Sequence, residues 1–206
     1  MSGHAEGAIT STITDTAGTY TLAGGGATQL AMSADDEITI NLTTLTADAT
    51  KIAEIEDLVQ ANGVKSLTGT VTLDASQAAT VGAMTDSSNK IALDFELSNQ
   101  ANIAQASALK GNTSGTLTAH STGISDSVGN YVNGGNTAIS SGFTTIKDAD
   151  GDVNVTVTGL GTPATTANMT SLNLIAAATT GTTTATFTAT AAVVANLSAS
   201  AFASGN

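Results

Sequence analysis

The clearest pattern in the chain is a two-residue alternation. In Leu67-Thr68-Gly69-Thr70-Val71-Thr72-Leu73 every odd position is apolar or glycine and every even one is threonine. An extended chain here has one apolar face and one hydroxyl face. Ser114-Gly115-Thr116-Leu117-Thr118-Ala119-His120 and Thr184-Ala185-Thr186-Phe187-Thr188-Ala189-Thr190 repeat the phase. So do Ile38, Ile40 and Leu42 against Thr39, Asn41 and Thr43; Ile91, Leu93, Phe95 and Leu97 against Ala92, Asp94 and Glu96; and Val153, Val155 and Val157 against Asn154, Thr156 and Thr158.

Between these segments the period changes. Ile52, Ile55, Leu58 and Val59 recur on one helical face after the capping residues Thr46-Ala47-Asp48, and Gly63 is placed to stop that helix. Shorter helical runs carry Ala78, Val81 and Met84; Ile103, Ala106 and Leu109, with Ser98-Asn99 as caps and Gly111 as stop; Ile124, Val128 and Val132; Met169, Leu172 and Ile175; and Val193, Val194 and Leu197. The stretch before Glu37 is weaker. Ile9 and Ile13 share a phase, Tyr20 and Leu22 suggest a short strand, and Gly24-Gly25-Gly26 ends it without the lysine of a phosphate loop.

Strand centres near 40, 71, 93, 117, 155 and 186 leave gaps of 31, 22, 24, 38 and 31 residues. Each gap holds a strand, a helix and two turns, the length a parallel crossover needs. The predicted fold is an α/β repeat, a parallel-strand solenoid or open sheet with short helices on one face. A β-sandwich or mixed α+β fold is the alternative. Since one strand face is threonine-rich, one sheet face is expected to meet solvent or a partner. The organisation is a terminal cap or atypical repeat over 1–36, strand–helix repeats over 37–132, a loop or insertion over 133–152, and further repeats over 153–206.

Two segments, Ser107 to Ala119 (SALKGNTSGTLTA) and Ser171 to Ala185 (SLNLIAAATTGTTTA), resemble the degenerate Thr/Ala-rich tandem repeats of large bacterial surface proteins, cyanobacterial ones especially. The resemblance implies a surface or structural role and no catalytic residues.

Composition sharpens this picture. The chain has 206 residues, 17 acidic against 5 basic, and a formal net charge of −12; all five basic residues are lysines. Such a chain lacks the basic footprint that neutralises phosphates, so neither nucleic acid nor an anionic membrane is an expected partner. There is no cysteine, and only 3% of residues are aromatic, which favours a thin extended core. No apolar run reaches the ~20 residues of a membrane span. Residues 1–7 have neither a basic nor an apolar signal-peptide region, and Thr182 to Asn206 carries no charge. The acidic, cysteine-free composition rich in Thr, Ala, Ser, Gly and Asn predicts an extracellular surface or virion location, reached without such a signal through an export route that reads the uncleaved C-terminus or by release of a virion on lysis.

Four groups are candidates for chemistry. Asp148-Ala149-Asp150-Gly151-Asp152 resembles an acidic calcium loop, yet the twelfth position from Asp148 is Gly159, so a regular EF-hand is excluded. A looser calcium site on Asp148, Asp150 and Asp152 stands against an acidic turn. The two histidines, His4 and His120, lack a Gly-x-Ser-x-Gly elbow that would support a triad, so a surface histidine is the expectation. Asp94 and Glu96 share a strand face, and glycosidases use paired carboxylates, but the chain has no tryptophan and only two tyrosines to build a sugar platform, so a solvated acidic face is the expectation. The pairs Thr70/Thr72, Thr116/Thr118, Thr156/Thr158 and Thr186/Thr188 define a repeated hydroxyl face.

The expected function is that of a non-enzymatic structural protein of an outer-surface assembly: a virion decoration or fibre, or a secreted surface layer or filament. It is expected to associate with itself or with other structural proteins of the same assembly, through the threonine face. No cofactor is expected beyond that calcium. The alternative is a calcium-dependent adhesion or carbohydrate-binding module, with an ice-binding solenoid as a minor one.

Overall fold

The computed structural model describes residues 10–15, 37–119 and 121–198. Strands β1 (Thr10–Asp15), β2 (Glu37–Thr46), β3 (Val64–Leu73), β4 (Ile91–Leu97) and β5 (Leu117–Thr118) form one sheet, in that spatial order. Strands β6 (Ile124–Ser127), β7 (Val155–Thr158) and β8 (Thr183–Ala185) form a second, again in chain order. Every ladder in both sheets is parallel. A parallel bridge between Ala101 and Ile124 joins the sheets, with the Ser125 amide donating to the Ala101 carbonyl at 2.8 Å. The fold is α/β with parallel sheets and short helices. The Tyr20/Leu22 strand and the triple glycine lie outside the described residues.

The strand pairs follow the alternation. Leu67, Val71 and Leu73 lie opposite Ile91, Phe95 and Leu97, and all six are buried. In β2 a register shift between Leu42 and Leu45 resets the phase, so that Leu45 and Ala47 also turn inward.

Helix α1 (Ala49–Gln60) starts at Asp48, whose carboxylate accepts from the Lys51 amide, and buries Ile52, Ile55, Leu58 and Val59. Helices α2 (Ala75–Gly82) and α3 (Ile103–Gly111) begin with capping boxes at Asp74 and Asn102. Asn99, expected to cap α3, instead accepts the first amide of α2, Ala75 N, at 2.8 Å. The helices then run α4 (Val128–Tyr131), α5 (Ser141–Ala149), α6 (Thr166–Ala178) and α7 (Ala191–Val194). Neighbours along this row pack together: α1 with α2, α2 with α3, α3 with α5, α4 with α5 and α6, and α6 with α7.

Polar side chains stitch each unit to the next. Lys90 Nζ donates to the Val59 and Ala61 carbonyls at the end of α1, both at 2.8 Å. Asn112 Nδ2 does the same for Val81 and Met84 at the end of α2. Gln77 Nε2 reaches back to the Ala47 carbonyl, and Asp126 accepts the first amide of α3, Ile103 N. The bonds from Lys90 and Asn112 and the bond to Asp126 satisfy helix-end groups that would otherwise lack partners.

The two threonine- and alanine-rich segments prove to be structural equivalents. Thr113 Oγ1 donates to the Leu93 carbonyl at 2.8 Å and accepts from the Gly115 amide at 3.0 Å, while Thr116 N donates to Asp94 Oδ1. In the second copy Thr179 Oγ1 donates to Val153 O at 2.7 Å and accepts from Gly181 N at 3.0 Å, while Thr182 N donates to Asn154 Oδ1. A Cβ on Gly115 would sit 2.2 Å from Leu93 O, and one on Gly181 2.3 Å from Asp152 O. The repeated Thr-x-Gly therefore does one job twice: its threonine holds the preceding strand's carbonyl, and its glycine lets the two backbones close.

Two expectations change. The run Ile124, Val128, Val132 is not one helix; it is β6 followed by a single turn, α4. Pairing with β7 places Ser125 and Ser127 opposite Thr156 and Thr158 and leaves Ile124 buried. The segment 133–152 is only partly loop. Its second half is α5, capped by Ser140 Oγ and anchored by the buried Phe143 and Ile146. Its first half is a turn organised by Asn133, whose Oδ1 accepts from Thr137 N at 2.9 Å.

Candidate functional site: the open sheet face

The apolar strand phase and the apolar helix faces share one core. The opposite phase stays at least partly open, and it carries the hydroxyls. Thr70, Thr72, Thr118 and Thr156 are half-buried, while Thr116, Thr158, Thr186 and Thr188 are exposed.

In the first sheet the face forms rows across strands. One runs Thr46, Thr72, Glu96, Thr118; the next includes Thr70 and Asp94. Thr72 Oγ1 donates to Glu96 Oε2 at 3.4 Å, and Thr116 donates to Asp94 Oδ1 through both its amide, at 2.7 Å, and its hydroxyl, at 2.8 Å. In the second sheet Thr156 pairs with Thr184 and accepts from Gln100 Nε2 at 3.0 Å. Thr158 Oγ1 donates to the Asp126 carbonyl at 3.0 Å. Thr186 and Thr188 follow the end of β8 and belong to no ladder. The four pairs thus fall into three settings. Gln100, which carries no alternation signal of its own, is the residue that links the first sheet's trailing end to the second sheet's hydroxyls.

The two donors from Thr116 hold the Asp94 carboxyl below the usual carboxylate range, partly offset by burial. A depressed folded value means that the stabilisation is fully present above the unfolded value of about 3.9 and is lost as pH falls through the folded one. Asp94→Asn reproduces what the second copy has at Asn154. The variant is expected to lack this share of the acid destabilisation, measured as urea midpoints between neutral pH and pH 3.

The three loop aspartates are not gathered around one point. Asp148 pairs with Lys147 and is exposed. Asp150 is buried, caps the end of α5, and its Oδ2 accepts the Ala119 amide, fastening β5 to the chain entering β7. Asp152 is exposed. Among the described residues no three His, Cys, Asp or Glu side chains come together to hold a metal ion. His4 and His120 lie outside the described residues.

Charge is unevenly spread. No acidic or basic residue follows Asp152. All five lysines have partners within the chain: Lys51 with Asp48, Lys65 with Glu37, Lys147 with Asp148, Lys90 with helix-end carbonyls, and Lys110 with the Thr113 and Gly115 carbonyls. Within the described residues no helix is long and apolar enough to cross a membrane. No family model, no curated protein and no solved structure matches this chain.

Proposed function

We propose that the protein is a non-enzymatic structural component of an outer-surface assembly, a virion decoration or fibre or a secreted surface layer or filament. In this reading its strand–helix units stack as a parallel solenoid, and the hydroxyl-rich face joins copies of the chain or other subunits. The observation that carries it is the open polar face itself, with rows of threonine and carboxylate side chains running across the strands. The chain-order strands, the row of contacting helices and the side-chain stitches between units support the stacking. A surface of short hydroxylated side chains loses little rotamer entropy on contact and offers both donors and acceptors. Its acidic residues demand a partner that supplies donors or cations.

Sedimentation velocity over a range of concentrations tests the proposal. Wild type is expected to show species larger than the monomer. Thr70→Lys/Thr118→Lys, which plants two long charged chains on the face, is expected to shift them to monomer. Thr80→Lys, on the exposed surface of α2, is expected to behave as wild type.

A further inference from the structure

The connections before β4 and before β5 enclose a small cavity of about 160 Å3, lined by Asp86, Asn89, Ile91, Asn112, Thr113 and Ser114 among others. One oxygen of the Asp86 carboxylate, Oδ2, accepts the Ile91 amide at 2.8 Å. The other, Oδ1, is buried and has no hydrogen-bond partner. A carboxylate oxygen withdrawn from water without a donor is costly, and such atoms commonly mark a bound water or ion.

The surrounding wall makes the same demand. Asn112 spends its Nδ2 on the Val81 and Met84 carbonyls, leaving its Oδ1 as acceptor. Thr113 spends its hydroxyl proton on Ile91 and Leu93 carbonyls. Ser114 Oγ donates to Ile91 O at 3.4 Å and keeps its lone pairs. No lysine, arginine or histidine lines the cavity. The donors of Asn112, Thr113 and Ser114 are used up, the exposed Asn89 brings one side-chain amide to the rim, and oxygen acceptors, one of them anionic, are left over. The second Thr-x-Gly copy has Ala178 at the place of Asn112, so this chemistry belongs to the first copy alone.

We propose that this cavity binds one hard, oxygen-liganded metal cation, with Asp86 as its anionic ligand and the Asn112 and Ser114 oxygens as neutral ones. The ion would clasp the 83–90 connection to the turn at 112–115. The cavity is large enough for the ion to keep part of its water shell, so the Asp86 carboxylate, the two neutral oxygens and retained waters together can supply the roughly 6–8 oxygens that a calcium ion takes.

The test uses calcium chloride alone as probe. Thermal melts of the full chain are compared in calcium chloride, in magnesium chloride and in sodium chloride at equal ionic strength, with isothermal titration for stoichiometry. Wild type is expected to bind one calcium and to gain roughly 5–10 °C in Tm when calcium exceeds its Kd a hundredfold. Asp86→Asn, which keeps an acceptor for the Ile91 amide, is expected to lose the gain, and Ser114→Ala to weaken it. Asp148→Asn/Asp152→Asn is expected to keep it. The proposal is overturned if sodium chloride gives the same gain, if wild type does not respond, or if the response survives Asp86→Asn or disappears only with the 148/152 pair.

Discussion

Gly69→Ala is expected to destabilise the protein by about 3 kcal/mol or more, lowering Tm by at least roughly 6 °C. Gly69 has φ +115°, a conformation a side chain rarely adopts, and a Cβ built on it would lie 1.6 Å from the Leu42 carbonyl oxygen. The Cβ position is fixed by the Gly69 backbone and the oxygen is itself backbone, so no rotamer change relieves the collision. The strands β2 and β3 would have to part where β2 shifts register, between Leu42 and Leu45. Gly111 supplies the control. It ends α3 with nothing within 4 Å of a built Cβ. Gly111→Ala is therefore expected to leave stability unchanged or raise it by up to about 1 kcal/mol. Urea unfolding of the two variants side by side separates a backbone clash from a general intolerance of alanine in this fold.

Tyr131→Ala is expected to cost about 3–5 kcal/mol, the range for emptying a large aromatic site. Tyr131 is fully buried, its ring meets Phe143 edge-on at 5.0 Å, and its hydroxyl lies 2.8 Å from the Ile124 carbonyl and 3.1 Å from the Thr156 carbonyl. It therefore binds β6, β7 and α5 around the point where the second sheet begins. Burial pushes the phenol well above its usual pKa, so it stays a neutral donor across the working pH range. Tyr131→Phe keeps the ring and removes the proton donor, with an expected loss of about 1–3 kcal/mol. The difference between the two variants, read from urea midpoints, divides packing from hydrogen bonding.

The parts of this fold that could be read from the residues are those in which one physical signal dominates. The strands at Glu37, Val64 and Ile91 alternate over seven or more residues, and α1 has four apolar residues on one face, so periodicity alone marks each of them to within a few positions. The elements that escaped are short or have their signal divided. Strand β6 contains a single apolar residue, Ile124, and its other side chains are serine and aspartate, so alternation could not reveal it. Helix α5 is anchored by only Phe143 and Ile146, and the Ser-Ser-Gly sequence at its start reads as a turn. In fact Ser140 is its cap. The acidic run ending at Asp152 looked like one feature because its carboxylates are close in sequence. The backbone turns between them, sending Asp150 into the interior to hold Ala119 and leaving Asp148 to Lys147.

The hydroxyl face was legible for the same reason as the strands, since period two determines which side chains face together. What alternation cannot show is which strands sit side by side, and so which threonines share a row. Thr72 and Thr118 flank Glu96 because β3, β4 and β5 are adjacent and in register, whereas Thr186 and Thr188 fall beyond the end of β8. The face is thus strongest over the first sheet, where the carboxylates of Asp94 and Glu96 are already hydrogen-bonded by their threonine neighbours.

The central claim, that this face joins subunits, is tested most directly by sedimentation velocity of wild type beside Thr70→Lys/Thr118→Lys, both shown to be folded by circular dichroism. The account predicts concentration-dependent larger species in wild type and a single monomeric boundary in the variant. A wild-type protein that remains monomeric at every concentration, or a variant that assembles as wild type does, would contradict it.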